Sequence, residues 1–172
     1  MKAVFLDRDG VINEDFGYVG STKDFKFRDG IFELLKLLQD LGYTLFIITN
    51  QSGIARGYYS KEDFLKLSEW MVEELKKRDI FIKDIAYCPH HPDITGECEC
   101  RKPKPGMILN LAKKYNIILK DSILIGDKPS DIEAGKNAGI KKLYLVEHSL
   151  FDVIEKIKKI KFFYVLINEE IK

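Results

Sequence analysis

Two aspartates stand directly after a short apolar run near the start of the sequence. Asp7 and Asp9 are separated by one residue, follow the run AVFL and precede Gly10. A carboxylate can attack phosphorus as a nucleophile, and Mg²⁺ prefers carboxylate oxygens as ligands. Asp and Gly also form ordinary turns, so the pair alone does not separate a catalytic site from a strand-to-turn transition. Two carboxylates at the mouth of a buried sheet are costly unless they are paired or bind a metal, which favours the functional interpretation.

Two later apolar runs also end in residues that suit phosphoryl chemistry. Thr49 and Asn50 follow TLFII, and Asp127 and Asp131 follow SILIG. A turn would explain the first pair and a helix cap would explain one of the acids, but not both acids. Phosphoryl transfer needs a carboxylate nucleophile, a Mg²⁺ site, and hydroxyl, amide and lysine groups that neutralise the equatorial oxygens. The three strand ends together predict that chemistry.

A short segment, residues 88–107, contains all the cysteines of the chain. Cys88, His90, Cys98 and Cys100 form C-x-H and C-x-C pairs, and such soft or borderline ligands suit tetrahedral Zn²⁺. Four protein ligands leave no open position, so the predicted zinc is structural. His91 is an alternative ligand to His90. Buried free thiols are the explanation without a metal, but such cysteines seldom alternate with Pro, Asp and Glu.

Two basic residues follow the last of these cysteines. Arg101 and Lys102 come directly after Cys100. A zinc ion bound by Cys100 would fix the backbone at the point where two cations have to be aimed at a phosphate, which preorganises them. The segment is therefore predicted to be a metal site that adjoins a catalytic centre.

Short apolar runs alternate with segments of helical periodicity along the chain. The runs are continuous and rich in Ile, Leu, Val and Phe, as strands covered on both faces are. This alternation predicts an α/β fold with helices on both faces of a parallel sheet and a site beyond the carboxyl ends of the strands. Ser60 predicts a helix start and Gly42 predicts a helix end. FFYVLI in the tail 161–172 is compatible with a last edge strand, but the segment is too short to identify its partner, and its role is left open. The predicted strands are 3–6, 44–49, 85–88, 122–126 and 143–146, and the predicted helices are 30–41, 61–78, 105–115 and 130–138.

Composition limits the class of protein. With 172 residues, 45% of them hydrophobic, the chain is predicted to form one domain, 1–172, around a single substantial core. The 28 Lys and Arg residues nearly balance the 27 Asp and Glu residues, which disfavours nucleic acid and membranes as partners. No signal peptide or membrane span is expected, so a cytoplasmic location is predicted. In that reducing compartment the cysteines indicate metal binding rather than disulfides.

Four motifs, in order, resemble those of the haloacid dehalogenase superfamily of phosphohydrolases. They are DRDG, the Thr of ITN, the Lys of RKPKPG and the acidic pair of GDKPSD, and they span residues 7–131. The resemblance implies a three-layer Rossmann-like fold with a central, mainly parallel sheet. The connections that hold large cap domains in this superfamily each already contain a predicted helix. We therefore expect a capless protein with a zinc-binding loop at 88–100, and a monomer.

The resemblance also implies a role for each motif residue. Asp7 is the nucleophile, and Asp9 is the general acid that protonates the leaving oxygen and then the base that activates water. Thr49 and Lys102 would hold the phosphoryl group. Mg²⁺ would lie between Asp7, the backbone carbonyl of Asp9, and Asp127, with Asp131 nearby in a supporting role. Mg²⁺ and Lys102 would let the anionic nucleophile approach an anionic phosphate, which Coulomb repulsion otherwise opposes.

A narrower resemblance concerns the substrate. NEDFGYV, TNQSGIARG, CPHHP and CECRKPKPGM are similar to segments of the heptose bisphosphate phosphatase branch, which removes the 7-phosphate of D-glycero-D-manno-heptose 1,7-bisphosphate. That reaction leads to the nucleotide-activated heptose of lipopolysaccharide and other bacterial surface polysaccharides. The resemblance implies a small sugar bisphosphate as partner, with Asn50, Arg101 and Lys128 as substrate-binding residues. We expect the loops 17–23, 52–56 and 92–97 to select it.

Three other functions are compatible with parts of the sequence. The histidinol-phosphatase branch shares the zinc-type loop, although QSGIARG and GYV favour the heptose branch. A nucleic-acid-binding zinc module would usually show C-x-x-C spacing and a basic face, which this nearly neutral chain lacks. A sugar-phosphate-binding protein without turnover is disfavoured because Asp7 and Asp9 are both present.

Overall fold

A five-stranded, fully parallel sheet forms the centre of the protein. The computed structural model describes the backbone of residues 1–170 and the side chains of residues 1–160. Each of the five strands predicted for the sheet is present, and the third begins three residues earlier than expected, at Ile82. The strands are β1 (Ala3–Leu6), β2 (Thr44–Asn50), β3 (Ile82–Cys88), β4 (Ile123–Gly126) and β5 (Lys142–Leu145), and their order in the sheet is β3-β2-β1-β4-β5.

Helices cover both faces of this sheet. They are α1 (Ile31–Asp40), α2 (Lys61–Lys76), α3 (Pro92–Thr95), α4 (Gly106–Tyr115), α5 (Pro129–Asn137) and α6 (Leu150–Glu170). Alternate side chains of β1 point to opposite faces. Val4 and Leu6 belong to the core beneath α1, α2 and α6, whereas Ala3 and Phe5 belong to the core beneath α4 and α5. The three-layer architecture implied by the sequence is confirmed.

The predicted helix boundaries follow from local chemistry. The hydroxyl of Ser60 accepts a hydrogen bond from the backbone N–H of Asp63 at 3.0 Å, and the Asp63 carboxylate accepts one from the Ser60 N–H in return. This capping box satisfies two amides that the first turn of α2 would leave unpaired. Gly42 has a φ of 78° just after α1, a left-handed conformation that ends helices and that glycine adopts without strain.

The carboxyl-terminal segment corrects one prediction. Residues 161–170 continue helix α6, so the interpretation of FFYVLI as an edge strand is wrong; residues 171–172 lie outside the described part. The first half of α6 was itself not predicted. Its buried residues recur at helical spacing and pack into the core beneath α1, which starts the helix well before the apolar run of the tail. These residues are Leu150, Val153, Ile154 and Ile157.

The connections between the elements are short. In the described chain, the connections from β1 to α1 and from β2 to α2 contain no helix, and the connection from β3 to α4 contains only the short α3. This agrees with the expectation that no large cap domain is inserted. Within residues 1–170, none of the helices, including the 21-residue α6, combines the length and apolar character needed to cross a bilayer.

Candidate active site

A cavity of about 620 Å³ opens at the carboxyl ends of the strands. The strand order reverses at β1, whose neighbours are β2 and β4. Ligands of open α/β sheets bind in the crevice that such a reversal creates. Seven of the residues singled out from the sequence line the cavity, namely Asp7, Asp9, Asn50, Arg101, Lys102, Lys128 and Asp131.

The side chain of Lys102 lies at the floor of this cavity between two carboxylates. Its Nζ is 2.8 Å from Oδ1 of Asp7, 2.6 Å from Oδ1 of Asp131 and 3.0 Å from the carbonyl oxygen of Ile48. All three charged side chains are buried. Burial alone would lower the pKa of Lys102, but the two carboxylates more than reverse this effect and raise it. The amine is therefore held protonated, with its donors aimed by fixed acceptors.

The nucleophile candidate, Asp7, follows β1 and is also buried. Burial raises the pKa of Asp7, the charge of Lys102 opposes this shift, and the nearby Asp131 carboxylate adds to it. One lysine thus faces two carboxylates. A further cation at this position would favour the ionised form of Asp7, which is the form that a carboxylate nucleophile requires.

Three carboxylates at this position fit a Mg²⁺ ion. Oxygens of Asp7, Asp127 and Asp131 all lie within 4.8 Å of one another. Oδ1 of Asp127 is buried and accepts no hydrogen bond from the described residues, an arrangement that a hard cation would satisfy. Gly10 makes room for this carboxylate, because a Cβ at residue 10 would lie 2.1 Å from Oδ2 of Asp127.

Asp131 has a larger role than the sequence indicated. Its Oδ2 accepts hydrogen bonds from the backbone N–H groups of Asp127, at 3.1 Å, and Lys128, at 3.0 Å, at the start of α5. Its Oδ1 is paired with Lys102. Both oxygens of Asp131 are therefore engaged, whereas Asp7 pairs with Lys102 through Oδ1 and Oδ1 of Asp127 accepts no hydrogen bond from the described residues, so Asp7 and Asp127 are the carboxylates more open to a metal. Asp131 instead joins the β4–α5 turn to Lys102.

Asp9 is held by three side chains that sequence reasoning missed. Its Oδ1 accepts from Arg8 at 2.9 Å and from Asn13 at 3.0 Å, and its Oδ2 accepts from Gln51 at 2.9 Å. Gln51 follows the end of β2 directly, so its position carried a usable signal. Arg8 is buried and also donates to the carbonyl oxygen of Val19 at 2.6 Å. No sequence pattern indicated this role, because a charged residue between two aspartates is expected to face solvent.

The end of β2 positions two of the predicted residues. The hydroxyl of Thr49 is buried and accepts a hydrogen bond from Gln51 at 2.8 Å. The side chain of Asn50 accepts from the backbone N–H of Lys102 at 3.0 Å and donates to the carbonyl oxygen of the same residue at 3.2 Å. Asn50 therefore fixes the backbone that carries the lysine, and its contact with a substrate stays a prediction.

The cysteine cluster forms as predicted. The three sulfurs and Nδ1 of His90 lie within 4.8 Å of one another, the thiols are free, and Sγ of Cys100 is 3.3 Å from Nδ1 of His90 and 3.5 Å from Sγ of Cys98. Three sulfurs and one imidazole nitrogen match the donor set of a tetrahedral zinc site. His91 faces away, with its ring nitrogens bonded to Arg56 and to the backbone N–H of Asp93, so the geometry favours His90.

Two cations beside the cavity are tied to neighbouring loops. Arg101 donates to the carbonyl oxygen of His90 at 3.2 Å, which connects it directly to the cysteine cluster. Nζ of Lys128 is 3.1 Å from Oδ2 of Asp15, a contact that sequence reasoning missed. Loops 17–23 and 52–56 contribute lining residues, whereas within the described side chains loop 92–97 contributes none.

The fold and this arrangement of carboxylates and lysine define a class of hydrolase. Residues 2–139 match the model of the haloacid dehalogenase-like hydrolases, and the chain belongs to that family.

Relatives within the family are more specific. The chain is 49% identical over 152 residues to D-glycero-alpha-D-manno-heptose-1,7-bisphosphate 7-phosphatase of Photorhabdus laumondii, covering 86% of this chain and 83% of that protein. It is 51% identical over 150 residues to the corresponding beta-heptose enzyme of Pasteurella multocida, covering 85% and 82%. The solved D,D-heptose 1,7-bisphosphate phosphatase of B. bronchiseptica, complexed with magnesium and phosphate, superposes with a TM-score of 0.79 at 34% identity, covering 86% and 81%.

Proposed function

We propose that this chain is a Mg²⁺-dependent phosphatase that removes the 7-phosphate of D-glycero-D-manno-heptose 1,7-bisphosphate. The product would feed the synthesis of nucleotide-activated heptose for surface polysaccharide. The observation that carries the proposal is the buried Asp7–Lys102–Asp131 cluster beside Asp127, at the base of the cavity. The identity of the substrate is inferred from the names of the relatives. The proposed protein is a single-domain monomer located in the cytoplasm.

The roles of the residues follow from where their atoms lie. Mg²⁺ held by Asp7, Asp127 and the backbone carbonyl of Asp9 would neutralise charge on the transferring phosphoryl group. Lys102 and the Thr49 hydroxyl donate to the phosphoryl oxygens.

Two half-reactions then use the two aspartates in turn. An oxygen of Asp7 forms a bond to phosphorus while the bond from phosphorus to the sugar oxygen breaks, and Asp9 gives that oxygen its proton. A water molecule next attacks phosphorus and loses a proton to Asp9. The bond to Asp7 breaks, and phosphate leaves with the carboxylate restored.

The second phosphate of the substrate requires cations at a distance from the reacting centre. Arg101 and Lys128 line the same cavity as Asp7 and are partly exposed to it. A guanidinium can bind phosphate through two parallel N–H groups, whereas an ammonium acts as a point charge. We assign both to the substrate, and Arg101 would be oriented through its bond to the His90 carbonyl.

We expect removal of zinc to lower stability and activity together. The proposed Zn²⁺ at Cys88, His90, Cys98 and Cys100 holds the backbone directly before Arg101, so its loss frees a loop that positions a cation. After chelation and return of excess Mg²⁺, the melting temperature should be lower by at least ~5 °C and kcat/KM lower by ~10-fold, with both restored by added Zn²⁺. Thermal melts and initial rates on protein whose zinc content has been measured test this. Unchanged melting and turnover in zinc-free protein would contradict it.

The substrate is tested by direct comparison. Phosphate release with Mg²⁺ should be measured for the alpha and beta anomers of heptose 1,7-bisphosphate and for histidinol phosphate. We expect one heptose anomer to exceed histidinol phosphate in kcat/KM by at least ~100-fold, because a site with two cations loses charge-assisted bonds to a substrate with one phosphate. A preference for histidinol phosphate would be consistent with the proposed phosphatase mechanism but would contradict the proposed substrate.

A further inference from the structure

The buried side chain of Gln51 lies between the two groups that would handle the proton and the phosphoryl oxygens. Its Nε2 is 2.9 Å from Oδ2 of Asp9 and 2.8 Å from the hydroxyl oxygen of Thr49. Its Oε1 accepts a hydrogen bond from the hydroxyl of Tyr59. These three hydrogen bonds engage both polar atoms of an amide that is buried, since only 2% of Gln51 is exposed. They therefore select one orientation of the amide.

Tyr59 supports this orientation of the amide. Burial raises the pKa of Tyr59 to about 12, so the phenol stays neutral and keeps its hydrogen for Oε1 of Gln51. A rotated amide would bring Oε1 to the Asp9 carboxylate, where two acceptors would face each other.

The two oxygens of Asp9 differ in their surroundings. Among the described residues, Oδ1 accepts from both Arg8 and Asn13, whereas Oδ2 accepts from Gln51 alone. A carboxylate oxygen has two lone pairs in its plane, so Oδ1 is saturated and Oδ2 has one lone pair left. Since Asp9 lines the cavity, Oδ2 is the oxygen available to a substrate.

We propose that Gln51 is a positioning residue that aims Oδ2 of Asp9 at the leaving oxygen of the substrate. The inference rests on the proposed function for the role of Asp9. The proton passes from Oδ2 to the sugar oxygen as the phosphorus–oxygen bond breaks, and Oδ2 takes a proton from the attacking water in the second half-reaction. Gln51 exchanges no proton itself, and its N–H group fixes the direction of the remaining lone pair.

The test uses the dependence of the first step on the leaving group. A sugar oxygen must be protonated as it leaves, whereas 4-nitrophenolate departs without a proton. Gln51→Met removes the amide and keeps the volume. We expect kcat/KM for the sugar bisphosphate to fall by ~30- to 100-fold and kcat/KM for 4-nitrophenyl phosphate to fall by less than ~3-fold. Equal losses for the two esters would overturn the inference, because they would place the effect on Thr49 or on the fold.

Two variants control for structural damage. Gln39 is a second glutamine whose amide both donates, to the carbonyl of Asp79 at 2.9 Å, and accepts, from the N–H of Phe81 at 2.6 Å. It lies on α1, outside the cavity lining, so Gln39→Met should leave both kcat/KM values unchanged. If Gln51→Met fails to fold, Gln51→Asn keeps an amide but withdraws it from Asp9, and the same ratio of losses is expected.

A double-mutant comparison separates this inference from the proposed function. In an Asp9→Asn background, adding Gln51→Met should lower kcat/KM for the sugar bisphosphate by less than ~3-fold, since residues that act as a unit are not additive. A large further loss would overturn the positioning role. If Asp9→Asn alone kept full activity on the sugar bisphosphate, the acid–base role of Asp9 would fail, and if the parent protein released no phosphate from this substrate, the proposed function would fail instead.

Discussion

Replacing Asp7 with asparagine is expected to reduce Mg²⁺-dependent phosphate release by ~10⁴-fold or more. The amide that replaces the carboxylate is neutral and a poor nucleophile, so no covalent phosphoryl intermediate can form at this position. The substitution keeps the shape of a side chain that is buried against Lys102. Initial rates of phosphate release from the sugar bisphosphate are the measurement, with thermal melting to verify the fold.

Substitutions at two other aspartates, Asp40 and Asp9, provide comparisons for Asp7→Asn. Asp40→Asn, at the exposed end of α1, makes the same chemical change and should leave the rate unaltered. Asp9→Asn, given 4-nitrophenyl phosphate, should accumulate phosphoenzyme, because a good leaving group departs without an acid while the attacking water lacks its base. If Asp7→Asn retained more than ~1% of the activity, the nucleophile would have to be another residue and the mechanism would fail.

Replacing Lys102 with methionine is expected to impair catalysis and stability together. Loss of a preorganised cation at the phosphoryl oxygens should lower kcat by ~10²- to 10³-fold. The substitution also leaves Asp7 and Asp131 without a counter-charge and the carbonyl of Ile48 without the lysine donor. Breaking a buried ion pair by removing one partner costs about 3–5 kcal/mol of unfolding free energy. Urea unfolding in the presence of a Mg²⁺ chelator measures this cost, because Mg²⁺ would offset part of the charge.

An exposed lysine supplies the matched control for this substitution. Lys113 lies on the solvent side of α4, and Lys113→Met should change the unfolding free energy by less than ~0.5 kcal/mol and leave kcat unaltered. A Lys102→Met protein that unfolds at the same urea concentration as the parent would show that the cluster is not held by this ion pair.

Local sequence rules accounted for most of the framework. The apolar runs became strands, the Ser60 capping box formed, and the C-x-H and C-x-C spacing brought four metal-ligand atoms together. Each of these outcomes depends on neighbours within a few residues and on the alternation of strands and helices, which the chain carries in one dimension. The sheet is parallel as predicted, so the strand-end residues met at one edge of it.

The carboxyl-terminal helix shows where local rules fail. FFYVLI has the composition of a strand, yet residues 161–170 continue α6. The helix is established earlier, where Leu150, Val153 and Ile157 reach the core beneath α1. Once tertiary packing has established a helix, its extension by further residues is favourable, and this can override their intrinsic preference for a strand.

The chemical groups at the strand ends could be predicted from the sequence, because strand length and motif spacing are local properties of the chain. How those groups are paired depends on the tertiary structure. Asp7 meets Lys102 across 95 positions, and Asp9 meets Gln51 across 42. No short-range pattern encodes such contacts, since they depend on which loops the sheet brings to the same edge. The orientation of Asp9 through Gln51 is therefore a property of the folded chain.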